Sequence, residues 1–408
     1  MQKNNYFVKI IKITIKCVLK YFFTILTAPL ILLIKLISPF FRIRLIPVDP
    51  TRIGTTLQLD FILKEKLFNK NKIKTKYIIY ICHGQVKHFN KQWLKMWTRA
   101  ISFSRYPKFL EKVQNFTVRF IPIWKKNIFM LDFNPGTASF PDSATLNKVN
   151  IKFTDEEKDL GFDSLKKIGL SQNDQFVCFH TRDKAFLKRF APNRNWDYHD
   201  FRDANIENYL KSINYLTEKK LFAFRMGSVV EKALETSNPK IIDFHRSKIK
   251  SDFMDIFLGM RCSFYICTES GISTIPEVFQ KPIVYTNLPT LRGMQSFANN
   301  SILIFKKLYD CEKEKLLTFR EQINLCSNSY NHTSNFFKEK KIKLIENTSE
   351  EIYEAVKEMH ERLNNSWKIT NEDLELQKTF WEIVSPKVRS KTFLIGSDYL
   401  RKYKELLG

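Results

Sequence analysis

Short apolar segments alternate with amphipathic segments along most of the chain, which is the pattern of strands that alternate with helices. In the first half, residues 43–48 and 77–82 predict strands, and residues 55–67 between them predict a helix. Residues 93–113 predict mostly helix, interrupted by Pro107, and residues 116–123 predict a further strand. Strands that alternate with helices in this way pair in parallel, so this half predicts an α/β domain.

The second half repeats the pattern. Its predicted strands are residues 176–179, 221–224, 241–244, 263–267 and 282–286. Its predicted helices are residues 154–168, 205–218, 251–259, 271–279, 350–363 and 370–384. The fold class is therefore α/β with two Rossmann-like domains, residues 41–165 and 166–345, followed by C-terminal helices at 346–408.

The first 40 residues predict a membrane-associated helix. Residues 6–41 are nearly all apolar except for lysines, and Lys9, Lys12, Lys16 and Lys20 recur at helical spacing. Residues 21–34 carry no charge, but this run contains Pro29 and is shorter than the roughly 20 residues that a spanning helix needs. An in-plane or re-entrant anchor fits better than a spanning helix or a signal peptide, and spanning stays open.

The composition limits the partners. The chain has 408 residues, 44% of them hydrophobic, and a formal net charge of +25. Its lysines are spread along the chain without a nucleic-acid-binding signature, so an anionic membrane surface and phosphate ligands are the expected partners, and nucleic acid is not. The seven cysteines include no CxxC pair, which favours buried free thiols in a reducing compartment.

The most informative segment is residues 250–287, which predict a helix, a strand, a small-residue turn, a second helix and a strand. The turn is Thr268-Glu269-Ser270-Gly271. Hydroxyl groups, a glycine and free backbone N–H groups at a helix N-terminus bind phosphate well. The turn follows a predicted strand, and ligands of open α/β sheets bind at the carboxyl ends of strands. The segment therefore predicts a site for a nucleoside diphosphate.

Polar residues follow three predicted strands of the second domain, and consecutive parallel strands deliver such ends to one edge of the sheet. The three sets are His180/Arg182/Asp183, Arg225/Gly227 and the residues from Thr268 to Thr274. Arginine suits bidentate phosphate contact. For one arginine alone a surface salt bridge is the more common role, and His180 alone could be a core histidine. The carboxylates Asp197, Asp200 and Asp203 could be solvated caps, with Asp203 well placed as an N-cap.

Several motifs are absent from the sequence. It has no DxD, HExxH, Walker A or GxGxxG pattern, so the metal hydrolase, P-loop and dinucleotide dehydrogenase classes lose their main support. We therefore expect no metal site and no cofactor. A diphosphate leaving group would be neutralised by fixed donors, with a nucleotide-sugar as co-substrate.

Residues 176–287 resemble the second domain of a bacterial glycosyltransferase family found in surface-polysaccharide loci. The matching pieces are HTRD, DYHDFRDANIENY, FRMG, IIDF, SDFMDIFL and TESGISTIPEVFQKPIVYTN. The last piece also resembles, more loosely, the donor-side loop of other GT-B enzymes, including heptosyltransferases, and VDPTRIG resembles the glycine turn that opens the first domain of that fold. The resemblance implies a GT-B architecture with the donor in the second domain and the acceptor beside Arg52 and Gly54 in the first.

We therefore interpret the chain as a metal-independent glycosyltransferase at the cytoplasmic face of the inner membrane. It would move a sugar from a nucleotide-sugar to a glycan acceptor, polyprenyl-linked for instance, in surface-polysaccharide synthesis. Asp183 or His180 is the candidate base. The expected donor and phosphate contacts are Arg182, Arg225, Gly227, Thr268, Ser270, Gly271, Ser273, Thr274 and Glu277. A polyol-phosphate transferase of similar architecture and an inactive membrane scaffold remain the alternatives.

Overall fold

The chain forms two compact units in the computed structural model, Met1–Phe89 with Thr98–Phe133, and Asn90–Trp97 with Asn134–Gly408. We call them the first and the second unit. The structure describes residues 32–38, 42–49, 53–68, 75–81, 90–120, 148–190, 192–193, 195–291, 300–326, 333–384 and 393–408, together with scattered positions between 14 and 40 and residue 298.

The first unit contains a parallel strand pair with a helical crossover. Strands β1 (Arg42–Val48) and β2 (Thr75–Ile81) pair in parallel, and helix α1 (Leu57–Phe68) connects them after a 3-10 turn at Ile53–Thr56. The two predicted strands and the predicted helix between them are confirmed. A parallel bridge between Ile79 and Phe103 extends the pairing beyond β2.

Two further helices follow in the chain: α2 (Lys91–Ala100), whose residues up to Trp97 belong to the second unit, and α3 (Pro107–Phe120) of the first unit. Proline suits the first helical position of α3, because the missing N–H has no partner there in any case. The strand predicted at residues 116–123 is wrong over residues 116–120, which end α3. Phe116, Val118 and Phe120 alternate as in a strand, but they continue a helix that already buries Leu110 and Val113.

The first unit has a core that reaches into the N-terminal segment. Ile34, Leu45, Tyr80, Leu110 and Val113 form one buried cluster, and Leu30, Ile43 and Ile78 pack against it. Residues 32–37 are helical, so one face of this helix is seated on the first unit. No helix among the described residues is both long enough and apolar enough to cross a membrane.

The second unit is built on a seven-stranded parallel sheet. Its strands are β3 (Phe176–His180), β4 (Phe222–Arg225), β5 (Ile241–Asp243), β6 (Tyr265–Cys267), β7 (Ile283–Leu288), β8 (Ser301–Phe305) and, last in the chain, β12 (Phe393–Ile395). A smaller antiparallel sheet is formed by β9 (Lys307–Asp310), β10 (Lys315–Leu316) and β11 (Ile342–Ile345).

The strand order of the large sheet is β12-β8-β7-β6-β3-β4-β5. The chain runs outward from β3 through β4 to β5, returns to the other side of β3, and continues through β6, β7 and β8. Counted from β3, this is the doubly wound order 3-2-1-4-5-6. The direction of winding reverses between β3 and β6, which pair with each other through Cys178 and Tyr265. The α/β class predicted for this half is confirmed.

Helices and buried side chains cover the sheet. All six residues of β7 are buried, as expected for a parallel sheet covered on both faces. The helices of the second unit are α4 (Asp155–Lys166), α5 (Ala185–Phe190), α6 (Leu210–Glu218), α7 (Asp252–Arg261), α8 (Thr274–Val278), α9 (Phe319–Cys326), α10 (Ser334–Glu339), α11 (Ser349–Leu363), α12 (Asn371–Val384) and α13 (Ser397–Lys402). Of the five described cysteines, all free thiols, Cys311 is exposed and the other four are buried: Cys178, Cys262, Cys267 and Cys326.

The segment at residues 346–408 belongs to the second unit. Its strand β12 joins the edge of the large sheet, and Glu358 in α11 accepts a hydrogen bond of 2.7 Å from the backbone N of Ser397. The boundary predicted at residues 165 and 166 lies later in the chain than the division near residue 133.

Candidate functional site

The carboxyl ends of β3 and β6 are tied together at the point where the strand order reverses. The backbone N of Arg182 donates to Thr268 Oγ1 at 2.8 Å, and the backbone N of Thr268 donates to His180 O at 3.3 Å. Thr268 is fully buried. Two of the three predicted polar sets therefore meet at one place, which we call the switch-point crevice.

The end of β4 joins this crevice through His180. The ring Nδ1 of His180 lies 3.0 Å from Met226 O, so Nδ1 carries the proton and Nε2 is left as the acceptor. Burial lowers the pKa of the imidazole. Gly227 follows at φ +150°, and a Cβ there would lie 2.9 Å from Val230 Cγ1 and 3.8 Å from His180 Nδ1. The glycine thus permits both the backbone conformation and the close approach of Val230, while the contact with the imidazole is an ordinary one.

The carboxylate of Asp183 accepts hydrogen bonds from two backbone N–H groups. Its Oδ1 accepts from the backbone N of Ala185 at 3.0 Å, and its Oδ2 accepts from the backbone N of Glu231 at 3.0 Å. The carboxylate fixes the start of α5 and the loop after β4. Both of its oxygens are occupied, which makes Asp183 the weaker of the two candidate bases.

Arg182 is paired with a carboxylate. Its guanidinium forms an ion pair with Asp203 and donates from Nη1 to His199 O at 3.2 Å. Burial lowers the pKa of Arg182 and, against the opposing effect of the arginine, raises the pKa of Asp203 to about 6. The N-cap role predicted for Asp203 is wrong, because Asn205 caps the 3-10 turn that precedes α6.

Arg225 lies on the other side of β4 from this pair. It is 3% exposed, donates from Nη1 to Lys232 O at 2.6 Å and lies 3.5 Å from Asp243 Oδ2 in β5. Its partners lie on the β5 side, whereas the crevice lies between β3 and β6. The two arginines therefore bond to different partners, although both positive charges add to burial in lowering the pKa of His180.

The turn after β6 lies where the sequence predicted it, but the helix that follows is shorter than the predicted one. Gly271–Ser273 forms a single 3-10 turn, and α8 from Thr274 has only five residues. The predicted helix dipole is correspondingly small, because a dipole grows with aligned peptides. Ser273 Oγ donates to Ser270 O at 2.7 Å, while Ser270 Oγ is buried with no hydrogen-bond partner among the described residues.

Glu277 lies behind this turn. It is 4% exposed, and its Oε1 accepts a hydrogen bond from the hydroxyl of Tyr285 in β7. Burial and the neighbouring carboxylate raise the pKa of Tyr285. The structure therefore places Glu277 among buried side chains, and its predicted contact with the donor stays a prediction.

The predicted acceptor-side residues belong to the first unit. Gly54 lies in the 3-10 turn after β1, next to Thr55, whose Oγ1 donates to Asp49 O at 2.7 Å. Arg52 lies outside the residues that the structure describes.

Sequence reasoning missed the role of residues 195–204, which we call the edge segment. Phe201 N donates to Ser334 Oγ at 3.2 Å, Arg202 Nη2 donates to Glu269 O at 3.1 Å, and Asp203 O accepts from Lys306 Nζ at 2.6 Å. The segment thus lies across the carboxyl ends of β3, β6 and β8. Its composition, DYHDFRDA, was a signal: charged and aromatic residues are dense in a loop that follows a buried strand.

Comparisons with known proteins return structures but no sequence relative: no family model and no curated protein matches the chain. A glycosyl transferase family 9 protein from Veillonella parvula is 11% identical, covering 64% of this chain and 85% of its own, at a TM-score of 0.38. The ADP-heptose LPS heptosyltransferase II of E. coli is 9% identical, and the match covers 64% of this chain and 90% of that protein at a TM-score of 0.38. The iron-containing dodecameric glycosyltransferase TibC of enterotoxigenic E. coli is 12% identical, covering 79% and 76%, at 0.35. At these scores the function of this chain has to be inferred from its own residues.

Proposed function

We propose that the protein is a glycosyltransferase that uses a nucleotide-sugar donor, bound at the switch-point crevice. One observation carries the proposal: the strand order reverses between β3 and β6, and there His180, Arg182, Thr268 and Ser270 are gathered. In open α/β sheets, ligands bind in the crevice outside the carboxyl ends of the strands at such a reversal.

The chemistry of the crevice suits a diphosphate. Ser270 supplies a buried hydroxyl without a partner among the described residues, and Gly271 leaves the turn without a side chain, whereas Ser273 and Thr274 are buried and already bonded within the turn. Arg182 adds a fixed cation beside the turn, through the bond of its backbone to Thr268. Fixed donors stabilise the negative charge that develops on a leaving diphosphate, so we propose that the reaction needs no metal.

His180 is the stronger candidate for the base. Its Nε2 is the acceptor nitrogen, and burial keeps the imidazole neutral near pH 7 by lowering its pKa. A neutral imidazole can take the proton of an acceptor hydroxyl as the glycosidic bond forms.

The setting of the reaction is proposed from the sequence and the first unit. The lysine stripe of the first 40 residues and the exposed apolar side chains near residue 36 support association with an anionic membrane surface. We propose a cytoplasmic-face enzyme of GT-B architecture, with two Rossmann-like domains, that glycosylates a glycan carried on a lipid in surface-polysaccharide synthesis.

The test is a binding and turnover screen on the full chain. ADP, UDP, GDP and CDP are tested by calorimetry, and radiolabelled nucleotide-sugars and nucleotide-activated polyols by transfer to a lipid-linked acceptor, with and without EDTA. We expect one diphosphate to bind and one sugar to be transferred in EDTA. Transfer of a polyol phosphate alone identifies the alternative transferase, and binding of no nucleotide supports the inactive scaffold. A strict need for Mg²⁺ or Mn²⁺ contradicts the metal-free part.

Gly271→Val tests the turn directly. A β-branched side chain at this exposed position would occupy the space in which a phosphate approaches the backbone. We expect loss of nucleotide binding with an unchanged unfolding temperature. An unchanged affinity would count against the phosphate site.

A further inference from the structure

The positively charged residues at the crevice differ in how far their charge is already neutralised. Arg182 is paired with Asp203, and Lys184 Nζ lies 2.5 Å from Asp200 Oδ2. Arg202 has a weaker partner. Its Nη2 lies 3.7 Å from Glu269 Oε1, and the side chain of Glu269 is 43% exposed and therefore solvated. Of these three cations, Arg202 keeps most of its capacity to bind a further anion.

Two buried donors without partners flank a single peptide unit. Arg202 Nη2 donates to Glu269 O at 3.1 Å, and Ser270 is the next residue in the chain. Arg202 Nε and Ser270 Oγ are both buried, and neither has a hydrogen-bond partner among the described residues. A buried donor left unsatisfied costs about 1–3 kcal/mol, so this pair marks a place where a ligand or an ordered water completes the bonding.

The edge segment brings Arg202 to this place. Arg182 holds the segment at His199 O, Lys306 holds it at Asp203 O, and Arg202 lies between these two attachments. The backbone of Arg202 is therefore fixed beside the turn after β6, and the bond from Nη2 to Glu269 O positions its planar guanidinium there.

We propose that Arg202, together with the Ser270 hydroxyl, is the primary contact of this protein for the diphosphate of its donor. This inference rests on the proposed function, and it assigns the contact to a residue of the edge segment rather than to Arg225. The edge segment then serves as the second wall of the phosphate site, opposite the turn after β6.

The experiment compares Arg202→Met with Arg261→Met in the full chain. Arg261 ends α7 just before β6 and therefore lies at the opposite, amino edge of the sheet, where its Nη2 donates to Gln172 O at 3.0 Å. Both variants remove one positive charge, so their difference excludes a general charge effect. Calorimetry measures the affinity of each protein for three ligands: the nucleoside diphosphate found in the screen, inorganic pyrophosphate and the corresponding nucleoside.

Arg202→Met should weaken binding of the diphosphate and of pyrophosphate about ten- to a hundredfold and leave binding of the nucleoside unchanged, because a charge-assisted bond to the phosphate is lost. The affinity of Arg202→Lys for the diphosphate should lie between those of Arg202→Met and the wild type, because lysine keeps the positive charge but lacks the planar guanidinium. Arg261→Met should bind like the wild type.

Ser270→Ala supplies a signature that a purely structural role would not give. Removing a buried hydroxyl without a partner should raise the unfolding temperature of the ligand-free protein while weakening diphosphate binding. If the wild type binds a nucleoside diphosphate and Arg202→Met binds it equally well, the assignment of Arg202 is overturned and the proposed function stands. If the wild type binds neither diphosphate nor pyrophosphate, both are overturned.

Discussion

The arginines that follow β3 and β4 have different partners and therefore different expected roles. Arg182 faces the switch-point crevice, whereas Arg225 is buried between β4 and β5 with Asp243 and Lys232 O. Sequence spacing placed both at the carboxyl edge, and the edge is where both lie. The sequence does not show which neighbouring strand each guanidinium contacts. For Arg225 this depends on the pairing of β4 with β5, which brings Asp243 beside it and is not a local property of the sequence.

Arg225→Met should therefore reduce stability more than it reduces nucleotide affinity. Removing one partner of a buried pair leaves the Asp243 carboxylate uncompensated, which costs about 3–5 kcal/mol. Urea unfolding measures the loss, and calorimetry at a temperature where the variant is folded measures the affinity. Arg182→Met serves as the comparison. A variant of Arg225 that is as stable as the wild type and binds diphosphate poorly would restore the phosphate role predicted from the sequence.

Gly227 is the residue at which backbone conformation and the site are coupled. Gly227→Ala adds a Cβ at φ +150° and only 2.9 Å from Val230 Cγ1, so the loop after β4 has to shift. Positive-φ strain costs about 1–3 kcal/mol. The control is Gly169→Ala, at φ +83° with nothing within 4 Å of the added atom. We expect Gly227→Ala to lower the urea midpoint further than the control does, and to shift the pH dependence of turnover through His180. If both variants lowered the urea midpoint equally, the contact with Val230 would contribute nothing beyond the backbone strain.

At the scale of elements, most helices and strands follow from periodicity and caps. The helix predicted at residues 251–259 begins after Ser251, whose Oγ accepts from Met254 N, and α4 has the capping box of Thr154 and Glu157. Strands β8 and β12 were not predicted. The first is a short apolar run that fits a buried helix equally well, and the second has three residues and exists because it pairs with β8.

The most heavily bonded buried carboxylate among these elements is Glu351 of α11. Lys307 Nζ donates to its Oε2 at 2.7 Å, Lys402 Nζ donates to its Oε1 at 2.9 Å, and the hydroxyl of Tyr403 donates to the same Oε1. Asn347 Nδ2 donates to Oε2 at 3.2 Å. These bonds connect α11 with β9 and with the C-terminal residues, so this carboxylate holds three elements together.

Glu351 also predicts a pH dependence of stability. Burial alone would raise its pKa, but the bonds from Lys307, Tyr403 and Lys402 outweigh burial and lower the pKa from 4.5 to about 2. Because the folded value lies below the unfolded one, the stabilisation is present in full above pH 4.5 and is lost as the pH falls from 4.5 towards 2. The shift corresponds to about 3 kcal/mol at neutral pH.

Glu351→Gln should therefore lower the free energy of unfolding by about 3 kcal/mol at pH 7, and the gap to the wild type should shrink by more than half near pH 3. The control is Glu350→Gln, an exposed neighbour that pairs with Lys211, which should cost at most about 1 kcal/mol. Urea unfolding at pH 7, 4 and 3 measures all three proteins. A gap that stays constant with pH would assign the stabilisation to packing and not to charge.

At the scale of the whole molecule, the sequence could indicate the proposed donor site in the second half because most of that site is contiguous in the chain. The turn after β6 and its flanking elements lie within about forty residues, and their pattern is local. Arg202 and Lys306 could not be found in this way. They reach the crevice only because the edge segment crosses the ends of β3, β6 and β8, and that crossing is set by the strand order of the sheet.

The proposed membrane anchor in the N-terminal segment overlaps with the core of the first unit. Ile34 is 5% exposed in the core of the first unit, whereas Leu33, Leu36 and Phe40 are 54%, 65% and 86% exposed. One face of the helix at residues 32–37 is thus seated on the first unit, and the opposite face is apolar and exposed. Deleting residues 1–40 would remove Ile34 and open that core, so the anchor should be tested by deleting residues 1–28.

We expect the shortened protein to fold, to bind nucleotide as the full chain does, since the donor residues belong to the second unit, and to float much less with anionic vesicles. Each lost lysine near an anionic surface removes about 1 kcal/mol of binding.

Leu33→Ser with Leu36→Ser in the full chain should also reduce flotation, because it removes apolar area without changing charge. Turnover on a lipid-linked acceptor should fall further than turnover on a soluble glycan, because the anchor supplies proximity and not chemistry. If the full chain stays at the bottom of the gradient with anionic vesicles, the membrane association is wrong. If the shortened protein floats as well as the full chain, the lysine stripe is not what binds the surface.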